Sequence, residues 1–197
     1  MNPDNEPIRI MLDTETMGLG RDAKVTAVGA MRFCPAENRL WGGIEFAVDD
    51  PTGAVTPSTA EWWARDEMAD AREYLTALHE RSAASVMGDL RAYATSFAYE
   101  TTRAEYGVEW WAKSPNFDMA ILEDMHERAW ANKPVHVPGA PWHFRNLRDV
   151  RTTLAGVSPD FNFGSPAIEA PAHSPLADCE YQARQVMEVL RFTRRIN

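Results

Sequence analysis

Three runs of apolar and β-branched residues open the chain, separated by turn residues. Ile8 to Asp13, Ala23 to Phe33 and Leu40 to Ala47 read as strands, with Gly18 and Gly20 turning the first connection and PAENR the second. Connections this short predict an antiparallel meander, since a parallel pair needs a crossover of a dozen or more residues. The apolar period then lengthens. Ser58 and Glu61 form a capping-box pattern that predicts a helix through EWWARDEMA, and Met87, Leu90, Ala94 and Phe97 share one face of a helix over Arg81 to Ala104. Strand chemistry returns over Val108 to Lys113, and Pro115 and Asn116 separate it from a helix striped by Phe117, Ile121 and Met125. Prolines 134, 138 and 141 mark an irregular connection before a short fifth strand near Trp142 to Arg145; a helix with Leu147, Val150 and Leu154 inward follows. Gly156 to Ala172 has no period and reads as a long loop, a kind that is often functional or disordered. The last helix has Ser174 as N-cap, Pro175 in its first position and a core stripe of Leu176, Cys179, Ala183, Met187 and Leu190.

Strands that lead, with later strands set apart by helices, predict an α/β, ribonuclease-H-like fold: a mixed five-stranded sheet flanked by helices. A length of 197 residues with 45% hydrophobic content fits a single domain over 1–197. With no basic segment before a long apolar stretch and no run of 18 apolar residues, neither a signal peptide nor a membrane span is expected. The expected location is the cytoplasm, or the host cytoplasm if the chain is phage-encoded. Cys34 and Cys179 make no disulfide framework and no metal-binding pair, and both read as buried thiols. The net charge of -9 argues against gripping nucleic acid through a broad basic face, so contact should be local. All but three of the 20 basic residues are arginine, whose planar fork suits phosphate oxygens; a GC-rich genome gives the same bias.

Four acids and a histidine carry the chemistry. Side chains two apart on a strand share a face, so Asp13 and Glu15 present two carboxylates to one spot while Thr14 points away. Asp118 and Asp178 fall in the first turns of predicted helices, where the helix dipole alone would favour a carboxylate; Asp178 lies off the core stripe of its helix. Oxygen ligands suit magnesium or manganese, and two such ions roughly 3.5 to 4 Å apart clamp the attacking and leaving oxygens of a phosphoryl displacement. Asp13 could bridge both ions, Glu15 and Asp178 would complete the one that binds the attacking water, and Asp118 would hold the second directly or through water. His173 is the base expected to take a proton from that water, because histidine titrates near neutrality. His79, His126, His136 and His143 read as structural. No Walker loop, GxGxxG, GxSxG or HExxH competes with the acidic set. Trp62 and Trp63 could stack a base, with at least one expected in the core; Trp110 and Trp111, on opposite faces of a strand, both fit burial. Arg148 and Arg151 could hold phosphate or pair with Asp149.

DTETMG, NFDMAIL and a histidine separated by four residues from an aspartate resemble the three motifs of the DEDDh branch of the DnaQ-like 3′-to-5′ exonucleases. EWW at Glu61 to Trp63, SPNFD at Ser114 to Asp118 and RDVRT at Arg148 to Thr152 are similar to the phage exonuclease A (DexA-like) subgroup, whose relatives include bacterial exoribonucleases. The resemblance spans nearly the whole chain. It implies removal of 5′ mononucleotides from a free 3′ end of single-stranded nucleic acid, DNA slightly favoured over RNA. Asp13, Glu15, Asp118 and Asp178 would sit on two magnesium or manganese ions with His173 as base, and Thr16 and Met17 near the terminal base and sugar. The expected partner is therefore such a strand and not a membrane, with a homodimer left open. Competing expectations are an exoribonuclease or an oligonucleotide phosphodiesterase with the same site, and a binding module without turnover.

Overall fold

The computed structural model of the chain describes residues 7–96, 107–131, 138–157 and 171–196. The sheet is mixed and flanked by helices. Strands β1 (Ile8–Thr16), β2 (Val25–Cys34) and β3 (Arg39–Asp49) form the antiparallel meander, and β5 (Val108–Ala112) pairs parallel to β1. Two three-residue strands complete the edges, β4 (Glu80–Ser82) parallel to β3 and β6 (Leu147–Asp149) parallel to β5, giving the order β4-β3-β2-β1-β5-β6. The sheet thus has six strands where five were expected. All three residues of β4 are exposed, so no apolar alternation announces it.

Alternation along β1 divides the core in two. Ile8, Ile10 and Leu12 join a cluster with Val86, Met87 and Leu90 of α3 (Ala83–Thr95) and Ile121, Leu122 and Met125 of α4 (Pro115–Trp130). Met11 enters the opposite cluster, with Val150 of α5 (Val150–Ala155) and Cys179, Ala183 and Met187 of α6 (Pro175–Ile196). Trp110 and Trp111 divide the same way, one in each cluster, as their adjacent positions on β5 require. The terminal stripe Leu176, Cys179, Ala183, Met187 and Leu190 packs against this second face, and both cysteines are buried and free.

Several boundaries differ from the sequence expectation. Helix α1 (Pro57–Trp63) starts after Thr56, not at Ser58, and Thr56 makes no side-chain cap bond. It stops at Ala64 and a 3-10 turn, Asp66–Met68, leads into α2 (Ala69–Ala77), so EWWARDEMA is not one helix. The carbonyls of Trp63 and Arg65 accept from the Arg72 guanidinium, which satisfies the end of α1 from the next helix. Arg81 belongs to β4, α3 begins at Ala83, and the expected extension beyond Ser96 lies outside the described residues. Trp142 to Arg145 is not a strand. A 3-10 turn spans Phe144–Asn146, and Leu147 pairs in β6 instead of entering a helix. Asp149 caps α5 by accepting from the backbone N–H of Arg151 and Thr152, which fixes the helix start at Val150. Most of the loop expected over Gly156 to Ala172 lies outside the described residues.

Candidate active site

Beyond Met11, β1 continues past its last pair with β5, so its far end carries Asp13 and Glu15 into an open corner of the sheet. Both belong to the side-chain series that faces α6. Two helix N-termini converge there. At the first, Ser114 in a left-handed conformation (φ 89°) and Pro115 open α4, which puts Asp118 in the first turn, 4% exposed. The Asp118 carboxylate accepts from the Thr14 backbone N–H at 3.2 Å and from Thr14 Oγ1 at 2.8 Å. Thr14, which alternation alone points away from the acids, is thus the residue that orients one of them.

The second N-terminus belongs to α6 and lies directly over β2. Gly29 is the register partner of Asp13, and a Cβ at Gly29 would stand 2.5 to 2.6 Å from backbone atoms of Pro175 and Leu176. Only glycine permits that approach. It sets Asp178, in the first turn, beside Asp13 and Glu15, and one turn later Gln182 Nε2 donates to Asp13 Oδ1 at 2.9 Å. His173, just before the helix, has φ 64°, and its ring meets Trp62 and Trp63 edge to face at centroid distances of 4.9 and 6.0 Å. Glu15, His173 and Asp178 each offer a donor atom within 4.8 Å of the others. The imidazole, expected as a base, therefore also stands where a ligand could.

Burial makes the cluster costly as ionised carboxylates. It raises Glu15 to about 10, helped by Asp13, Asp178 and Asp118, and raises Asp118 to about 7 against the opposing Thr14 bonds and the charge of Arg151. Asp13 lies well above the usual carboxylate range, first through burial and then through Asp118 and Asp178, with Gln182 and Lys113 pulling the other way. Asp178 is raised by burial and partly offset by His173 and Lys113. Four acids brought together at the end of β1, offset by the Gln182 amide and the charges of Lys113, Arg151 and His173, have the oxygen donors that hard divalent cations take. The acids and His173 fit that role chemically.

A cavity of about 420 Å³ meets the acidic cluster at Glu15 and is lined also by Thr14, Thr16, Leu19, Trp62, Trp63 and Phe117 among others. Thr16, expected beside the terminal nucleotide, lines this cavity. Met17 instead lines a neighbouring space of about 590 Å³ with Lys24, Arg72 and Leu75, on whose border Trp63 also sits. Trp63 is buried, its Nε1 donating to the Thr16 carbonyl at 3.0 Å, whereas Trp62 is half-buried on the cavity wall. Arg148 pairs with Glu109 at 2.9 Å, and the Arg151 side chain contributes charge near Asp118. His126 is buried, His79 and His143 are exposed, and His136 lies outside the described residues. Gln182, Thr14 and Lys113 escaped the sequence reading. The i+4 spacing of Asp178 and Gln182 on one helix face was the available signal for the first.

A model of the 3′-5′ exoribonuclease Rv2179c-like domain matches residues 8–190. The chain belongs to that family. It is thus one of the DnaQ-like 3′-5′ exonuclease group expected from the motifs. No curated protein matches the sequence of this Rv2179c-like domain. Among solved structures it is similar to Escherichia coli exonuclease I bound to a dT13 oligonucleotide, with a TM-score of 0.59 at 15% identity over 97% of this chain and 42% of that one. The zinc-bound exonuclease I complex with single-stranded DNA gives 0.59 at 16% over 98% and 42%, and a product-bound form gives 0.59 at 13% over 97% and 45%. These likenesses carry the ribonuclease-H-like fold of the Rv2179c-like domain, which spans about two fifths of the length of exonuclease I. No described helix is long and apolar enough to cross a membrane.

Proposed function

We propose that residues 1–197 form a single metal-dependent 3′-to-5′ exonuclease domain that releases 5′ mononucleotides from the free 3′ end of single-stranded nucleic acid. The carrying observation is the convergence of Asp13, Glu15, Asp118, His173 and Asp178 beside a nucleotide-sized cavity. Asp13, Glu15, Asp118 and Asp178 would hold two magnesium or manganese ions. Bound there, such ions would polarise the phosphoryl oxygens, make the attacking water easier to deprotonate and offset the charge that develops on the leaving oxygen. His173 accepts the proton of the attacking water at a ring nitrogen as the water oxygen bonds to phosphorus; the bond from phosphorus to the 3′ oxygen of the preceding nucleotide breaks, and that oxygen takes a proton from solvent. Gln182 restrains Asp13 and Thr14 restrains Asp118, so that neither carboxylate must be reoriented for the reaction. The cavity walls, Thr16 and Trp62 among them, seat the terminal nucleotide.

RNA is the favoured substrate in place of the DNA suggested by the phage-type segments. The family match covers almost all of the chain and its description names an exoribonuclease domain, whereas the likeness to exonuclease I extends only to fold. The deciding experiment incubates equal-sequence single-stranded RNA and DNA, labelled at the 5′ end, with the protein and manganese, with magnesium, or with excess EDTA. Expected is a ladder that shortens from the 3′ end, faster for RNA, and stops in EDTA. Internal cuts, equal cleavage of a circular strand, or full activity in EDTA would overturn the assignment.

A further inference from the structure

We infer that Trp62 is a positioning residue for His173, so that a base seated on the terminal nucleotide fixes the imidazole and hydrolysis is tied to the presence of that base. This rests on the exonuclease function proposed above. Trp62 touches two things at once. It forms part of the cavity wall with Glu15, Thr16 and Leu19, and its ring stands 4.9 Å from His173 at an interplanar angle of 88°. His173 in turn offers a nitrogen to the cluster with Glu15 and Asp178. A single side chain thus lies between the nucleotide space and the reacting centre.

The two tryptophans differ in how they are held. Trp63 is buried and tied to the Thr16 carbonyl. Trp62 makes no hydrogen bond among the described residues; ring contacts with Trp63 at 5.0 Å and with His173 hold it. A ring held only by packing can shift with a new stacking partner, whereas Trp63 is a fixed post. The His173 backbone is left-handed, a conformation uncommon outside glycine and one that surrounding contacts must maintain. Among the described residues, Trp62 and Trp63 are the rings that pack on the imidazole, and of the two Trp62 is the one half-exposed on the cavity wall. A terminal base packed on Trp62 restricts its motion and, through the edge-to-face contact, that of the imidazole.

The test compares short single-stranded RNA ending in an ordinary nucleotide with the same strand whose terminal ribose lacks its base, under saturating manganese. For the wild type, kcat should fall roughly tenfold or more without the base, the scale of one stacking contact. Trp62→Ala should lower kcat by about tenfold on the ordinary strand and erase the difference between strands, and Trp62→Phe should restore most of both. Because the effect runs through His173, the double variant Trp62→Ala with His173→Ala should turn over no more slowly than His173→Ala alone. A merely structural Trp62 would lower the melting temperature and leave the ratio between strands intact. If Trp62→Ala fails to fold by circular dichroism, Trp62→Leu takes its place. A change in KM alone, or losses that multiply in the double variant, would overturn the inference while leaving the exonuclease standing. A wild type that shortens no strand would instead remove the function on which it rests.

Discussion

Asp13 and His173 carry different burdens at the same strand end. Asp13 is half-buried among like charges, so removing it relieves repulsion while it deletes a proposed ligand. Asp13→Ala, and likewise Asp178→Ala, should abolish hydrolysis while the metal-free variant melts no lower than the wild type. Residual activity above about a tenth would correspond to less than about 1.4 kcal/mol of barrier and would remove the acid from a metal-binding role. His173 has a ring nitrogen within 4.8 Å of donor atoms of Glu15 and Asp178, so base and ligand roles both satisfy the geometry. Measurement separates them. For a base, His173→Ala lowers turnover by roughly 10² to 10⁴-fold and leaves manganese affinity by calorimetry unchanged. An affinity loss above about tenfold would make the imidazole a ligand.

At the scale of elements, the site depends on how closely α6 lies on β2. Gly29 allows the backbone of Pro175 and Leu176 into the space where a side chain would stand, and Cys179 Sγ reaches the Gly29 carbonyl at 3.4 Å. The neighbours of an added methyl group would be backbone, which cannot rotate aside. Gly29→Ala should therefore cost about 1 to 3 kcal/mol in urea denaturation, as overpacking does, and displace Asp178 and His173 from β1. Turnover should fall by more than the loss of folded protein explains. Normal kcat in folded Gly29→Ala would show that the approach of α6 does not set the site. Helix α4 is arranged differently, because its acid is held by hydrogen bonds from Thr14 and not by steric fit. Thr14→Val would remove the hydroxyl donor, leave the backbone donor and nearly preserve volume.

For the whole molecule, the raised acids make stability depend on pH in a defined direction. Glu15 lies near 10 against an ordinary 4.5, and Asp118 near 7 against 3.8, so the folded protein holds more protons than the unfolded chain between those values. Their protonated forms favour the fold below the unfolded values, and that contribution is lost as pH rises through the folded ones. In EDTA the melting temperature should fall from pH 5 to pH 8. Manganese should raise it more at pH 8 than at pH 5, since cations compete with protons for the same oxygens. A manganese effect equal at both pH values would count against ions binding these acids. The net charge of -9 gives a second expectation: cleavage should lose little rate between 50 and 200 mM salt, because few phosphates are gripped by cations.

Local pattern was enough for the meander, for the apolar stripes of α4 and α6, and for the order of the five chemical residues, because periods of 2 and 3.6 and the spacing of motifs are written along the chain. Alternation also foresaw the opposite burial of Trp110 and Trp111. It could not foresee β4, whose exposed residues pair only because β3 offers an edge, nor the end of α1, which Arg72 satisfies from α2. The same limit applied to Thr14. Its face on the strand was read correctly as opposite to Asp13, but only the packing of α4 past the end of β5 brings Asp118 onto that face. Gln182 on Asp13 and Trp62 on His173 join residues 169 and 111 positions apart in sequence order, where no local period operates. Sequence determined which groups the protein has for its chemistry. The tertiary structure decided which of them touch, since contacts between distant segments are set by how helices pack on the sheet.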